Sequence, residues 1–166
     1  MKSTIIFLLS VFVEISFACN GYKLKINKIE NCAGDNQIVT IDEGFSMKLN
    51  KKCELVPSGC ITHKAFNTAL ETFKITKDGV VVKEGTVDVC DAATHAQGEH
   101  KNMMKMFSLP EKCPVSDGKV CSDDRKLDFS KFKNMLSLAR GQIDIESNID
   151  HDTGKSCFKI AMEITK

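Results

Sequence analysis

The alternation of apolar and polar residues is cleanest at the C-terminal end. From Gly141, residues Ile143, Ile145 and Ile149 alternate with Asp144, Glu146 and Asn148; towards Lys166, residues Phe158, Ile160, Met162 and Ile164 alternate with Lys159 and Glu163. Successive side chains of a strand point to opposite faces, so each run has one apolar and one wet face. His151-Asp152-Thr153-Gly154 between them reads as a turn, where Gly154 can take positive φ without steric cost. The pattern predicts a half-solvated antiparallel hairpin over 141–166.

The same period predicts a first strand within Gly21–Asn31, a short β-branched strand over Ile38–Ile41, and another through Phe45, Met47 and Leu49. Cys53 and Cys60 bracket Pro57-Ser58-Gly59, which reads as a loop small enough to be closed locally. Residues 62–75 fit two periods. Ala65, Phe66, Ala69, Leu70 and Phe73 share a helical face, yet the Asp78-Gly79 turn needs a strand on each side. Strand–turn–strand–turn–strand is therefore expected over Leu70–Cys90, with the second turn at Glu84-Gly85. Met103, Met104 and Phe107, with Met106 beside them, keep helical spacing ahead of Pro110, which disfavours helix in the residue before it. Phe129, Phe132, Met135, Leu136 and Ala139 do the same ahead of Gly141. About eight short strands with one or two short helices predict an all-β, immunoglobulin-like two-sheet sandwich.

Residues 1–18 carry Lys2, an apolar run from Ile5 to Val13, and Ser16-Phe17-Ala18 with small residues at −3 and −1. They read as a signal peptide cleaved after Ala18, leaving 19–166 as one domain that is secreted or delivered to the lysosomal lumen. All eight cysteines lie in 19–166: Cys19, Cys32, Cys53, Cys60, Cys90, Cys113, Cys121 and Cys157. An even count in a secreted chain predicts a framework of disulfides, and no C-x2-C pair favours zinc. The net charge is +1, from 23 basic and 22 acidic residues, so nothing steers the protein to nucleic acid.

Three stretches resemble the ML lipid-recognition family of ganglioside activators and lysosomal sterol carriers: Ile29-Glu30-Asn31-Cys32, Cys113-Pro114-Val115-Ser116-Asp117-Gly118-Lys119, and Cys157-Phe158-Lys159-Ile160. The resemblance implies an ML-like domain with a lipid cavity between two sheets. It also implies the pairs Cys32–Cys157, Cys53–Cys60 and Cys90–Cys113; Cys19 and Cys121 are left over for a fourth bridge without a family counterpart. The Met-rich stretch from Gly85 to Leu109 is longer than in the sterol carriers.

The expected function is to hold a lipid or sterol-like apolar ligand for carriage or presentation, as a monomer with room for transient membrane or receptor contact. The alternative is a secreted interaction or immune-recognition module with a packed core. Candidate residues for the cavity or its entrance are Met103, Met104, Met106 and Phe107; Phe129, Phe132, Met135 and Leu136; and Phe66, Leu70 and Phe73. No enzyme, cofactor or metal is expected. There is no G-x-S-x-G, His95 and His100 miss the H-E-x-x-H spacing, and Asp150, Asp152 and Gly154 lack the rest of a calcium loop. His95 and His100 read as surface residues, and no pair among the four histidines is placed to gate a pocket, so ligand release is not expected to depend steeply on pH.

Overall fold

The structure is a computed structural model that describes residues 18–106, 109–122 and 125–166, with only the backbone of Ala18, Glu99, Met103, Met106 and Met135. Residues 1–17, within the expected signal peptide, and Phe107 lie outside the described residues. In chain order the strands are β1 (Lys23–Asn31), β2 (Val39–Ile41), β3 (Ser46–Leu49), β4 (Glu54–Ser58), β5 (Cys60–His63), β6 (Ala69–Lys77) and β7 (Val80–Asp88). Two helices follow, α1 (Val89–His95) and α2 (Gly98–Met106), then β8 (Gly118–Cys121), β9 (Leu127–Asp128), β10 (Gly141–His151) and β11 (Gly154–Thr165).

One layer is an antiparallel sheet in the order β1-β11-β10-β6-β7. The expected C-terminal hairpin forms its centre: β10 pairs with β11 from Gly141↔Ile164 to His151↔Gly154. Directly opposed residues share a face, and Ile29, Ile160, Ile145 and Ile75 line up across four strands. The other layer holds β2-β5-β8 and β3-β4-β9, which are two halves of the same three chain tracks. They part at Gly59, where φ is +111° and a Cβ would sit 2.7 Å from the Phe45 Cα, so no side chain fits. Asp42 N–H donating to Cys60 O (3.0 Å) and Ser122 N–H donating to Gly59 O (3.0 Å) stitch the tracks across the break. The result is a disulfide-stapled β-sandwich with few short helices.

The interior is packed at two places. Cys19, Cys53, Leu136 and Ile164 form one buried cluster, with Leu24, Leu49 and Ile143 against it. Ile38, Phe66, Ala69 and Val115 form the other, with Ile149 and Val89 against it. These clusters join the two layers at opposite ends.

Several expectations are corrected. Cys53 pairs with Cys19, and Cys60 with Cys121, in place of Cys53–Cys60 and Cys19–Cys121. The segment between Cys53 and Cys60 is not a loop but β4, and seven extended steps span roughly 20 Å. That far exceeds the reach of a disulfide, whose Cα atoms lie within about 7 Å. Cys60 instead faces Cys121 directly in the β5–β8 ladder, with their Cα atoms 4.0 Å apart. Cys32–Cys157 and Cys90–Cys113 pair as the resemblance implied. The expected turn at Glu84-Gly85 is absent; Gly85 lies within β7, where the Phe73 ring comes 3.4 Å from its ideal Cβ position. The aromatic ring covers the glycine and the strand runs on. It stops at Asp88, whose carboxylate accepts from Asp91 N–H (2.9 Å) and caps α1. The helix expected around Phe129–Ala139 is reduced to two 3-10 turns, Ser130–Phe132 and Met135–Ser137.

The Cys32–Cys157 bond spans 125 residues and ties β1 to β11. In the chain-entropy model such a bridge stabilises by about 5 kcal/mol. Replacing both cysteines with alanine is expected to lower Tm by roughly 10–20 °C in a thermal melt. Non-reducing peptide mapping is expected to link Cys19 to Cys53 and Cys60 to Cys121.

Candidate functional site

A cavity of about 760 Å³ lies between the layers at the end of the sandwich covered by α1 and α2. Strand alternation builds its walls: Val39 and Ile41 of β2 and Ile61 and His63 of β5 on one side, Ala69 and Glu71 of β6 and Ile149 and His151 of β10 on the other. Val120 and Phe158 complete them. Phe66 and Val115 join the layers by exchanging backbone hydrogen bonds of 3.1 and 2.8 Å. On the helical side the chain presents Ala92, Ala93 and Ala96, whose short side chains fill little of the space. Met104, Leu109 and Pro110 border the same region.

The α1–α2 cover is held in several ways. Cys90–Cys113 anchors α1, and Glu111 draws the Lys101 and Lys105 ammonium groups to 3.4 and 3.9 Å. Arg125 Nη1 donates to the Lys105 carbonyl (2.6 Å). Below the cavity, the hairpin turn is pinned by Asp152, whose carboxylate accepts from Asn67 N–H (2.8 Å), Asn67 Nδ2 (2.6 Å) and Thr68 N–H (3.2 Å). The Asn67 side chain and these backbone donors hold its carboxyl below the usual range. Asp150 pairs with Lys155 at 3.0 Å. Both carboxylates are thus engaged in fixing the turn.

The candidate residues divide by position. Phe66 and Met104 line the cavity. Leu70 points to the opposite face of the sheet and is 49% exposed, and Phe73 lies against Gly85; neither lines it. Phe129 and Leu136 pack at the far end with Cys19 and Cys53, with the Phe132 ring 5.3 Å from that of Phe129. The side chains of Met103, Met106 and Met135, and all of Phe107, lie outside what is described.

His95 and His100 are exposed, as their surface reading has it, and the histidines nonetheless share one site. His63, His95, His100 and His151 all line the cavity, carried there by β5, α1, α2 and β10. No motif spacing announces this, because the packing of one layer against the other brings together His63 and His151, 88 residues apart. His95 sits at the rim with its side chain 74% exposed; its Nδ1 is 3.2 Å from the Asp91 carboxylate and 3.0 Å from the Asp91 carbonyl. His151 is partly buried beside Phe66, ring centroids 4.5 Å apart. Ser156 Oγ accepts from Val39 N–H (2.9 Å), leaving its hydroxyl proton for His151 Nε2 at 2.9 Å. That assigns the ring proton to Nδ1. Ser156 is 2% exposed, so the pair links three strands rather than presenting a nucleophile. Glu71 accepts from Ser147 Oγ at 2.6 Å.

Burial pushes the His151 pKa below its ordinary value, with Asp152, the Thr68 backbone and Asp150 opposing. The fold therefore favours the neutral ring. The unfolded chain binds this proton more readily, so the associated stability is present above about pH 6.5 and lost as pH falls through the lower folded value. Tm is expected to fall between pH 7.5 and 5, and His151→Gln to flatten that fall in paired thermal melts.

No family model matches the chain. A curated protein, sporozoite-associated mosquito saliva protein 1 of Anopheles gambiae, is 38% identical over 152 residues, covering 89% of this chain and 84% of that protein. Four disulfides and a salivary relative are the marks of a secreted, extracellular protein. At that identity and coverage, the chain belongs to the family of the Anopheles sporozoite-associated saliva protein.

Proposed function

We propose that this protein is an extracellular carrier that holds a lipid or other apolar small molecule between its two sheets. The observation that carries the reading is the cavity of about 760 Å³, faced by valine, isoleucine, alanine and phenylalanine from both layers. Its size falls in the roughly 300–1,000 Å³ range of small-molecule sites, which are concave and mostly apolar. Each buried CH2 contributes about 0.8 kcal/mol, so ten give roughly 8 kcal/mol before entropy losses. The ML resemblance supports the same reading, and the salivary relative supports extracellular release over a lysosomal destination. Action would be by partition and release, as a monomer, with no covalent step.

Surface recognition is the second reading. Its observation is the run Val80, Val81 and Val82 on edge strand β7, exposed by 67, 49 and 58%. The relative's name records an association with sporozoites, which for this chain would call on such a surface.

Native mass spectrometry of the secreted protein, followed by lipid extraction, is expected to recover an apolar ligand. Ala93→Phe places a ring in the cavity and is expected to weaken binding of a fluorescent fatty acid or sterol at least tenfold while Tm holds or rises. Met104→Asp is expected to abolish binding, because its carboxylate would have to be desolvated as ligand enters. A wild-type protein that carries nothing and takes up neither probe would leave the surface reading in its place.

A further inference from the structure

Every histidine of the chain lines this one cavity, and among its described lining residues there is no lysine or arginine, although the chain has 23 of them. The four sit at two levels. His63 and His151 are partly buried, and the Nδ1 of each is buried without a hydrogen bond of good geometry. His95 and His100 are exposed, as is Gln97 between them, where α1 gives way to α2. The lining includes one carboxylate, Glu71, which is already held by Ser147.

We infer, building on the carrier reading, that the cavity takes a single-chain lipid with an acid head, of the long-chain fatty acid class. Its carboxylate is held at the rim by the imidazole N–H groups of His95 and His100 with the Gln97 amide. Its hydrocarbon lies inward against Phe66, Val115 and Phe158. A carboxylate leaving water must find hydrogen-bond donors, and charged acceptors form the stronger bonds. Lysine could supply them only by keeping a permanent charge beside apolar walls when no ligand is present. Imidazole is mostly neutral at pH 7 and gains its proton when an anion arrives, since its ordinary pKa is about 6.5.

The charges around each ring are compatible with this. Asp91 engages His95 at Nδ1 and leaves Nε2 for a ligand. His100 has Lys101 beside it, which is turned towards Glu111. His151 has Asp150 and Asp152 nearby, both tied into the turn, and His63 meets the uncharged Gly118 of β8, whose ideal Cβ position is 3.0 Å from its ring. Deeper in, burial favours the neutral form of His151.

The test compares palmitic acid with hexadecanol, which share a chain and differ in the head, by calorimetry or native mass spectrometry at pH 6 and pH 8. The acid is expected to bind at least tenfold tighter than the alcohol at pH 6, with a smaller gap at pH 8. The double variant His95→Ala/His100→Ala, at two exposed positions, is expected to weaken the acid at least tenfold and leave the alcohol and Tm unchanged. Equal binding of acid and alcohol, or a double variant that keeps full affinity for the acid, overturns the acid-head inference while leaving the carrier reading in place. Binding of neither probe, with no lipid recovered from the secreted protein, removes both.

Discussion

The ladder between β10 and β11 is the constraint on which the other elements depend. It places eleven residues of one strand against the other without a register shift, and both flanking strands, β1 and β6, take their positions from it. Because paired residues share a face, this ladder commits Ile143 and Ile164 to one end of the interior and Ile149 and Phe158 to the other. A slip of one residue would turn every one of these side chains outward. Cys32–Cys157 fixes β1 to the same ladder and so to the last strand of the chain.

The cavity follows from what this sheet faces. The opposing layer is narrower, three tracks against five strands, and it breaks at Gly59. Side chains from the two layers meet in a cluster at each end and do not fill all the space between. Where α1 closes one end, three alanines stand in place of larger residues. A protein interior is normally packed as densely as an organic crystal, so space of this size between layers points to something other than stability as its reason.

The sandwich was legible because period-two alternation records which face of a strand is buried. The same signal located β1, β10 and β11 closely, with the turn between β6 and β7 located by the Asp78-Gly79 dipeptide. It misjudged residues 54–58, because Pro57 and Gly59 read as loop residues. In the structure Pro57 pairs with Met47 on one side, while on the other the β9 ladder stops at Leu127, the partner of Leu55, short of Pro57, so its missing N–H costs little. Of the residues singled out by apolar spacing, Phe66 and Met104 border the cavity, while Phe129 and Leu136 pack at the other end. The histidines could not be found from spacing, since they converge only through the packing of the two layers face to face and the placement of α1 and α2.

The outer margin of β7 bears on how the molecule behaves in a concentrated secretion. A strand edge with three bare valines is a template for pairing with another chain. Lys77 stands just before the turn, and Lys83 with Glu84 stands just after the valines. The register also shifts between Ile75 and Thr76, which interrupts the flat ladder a second chain would need. Colloidal stability therefore rests on a few charges and one irregularity at the rim of the sheet, far from the buried clusters that hold the fold. Exchanging those charges for neutral residues would leave the melting behaviour intact and still turn a freely dissolved protein into one that self-associates.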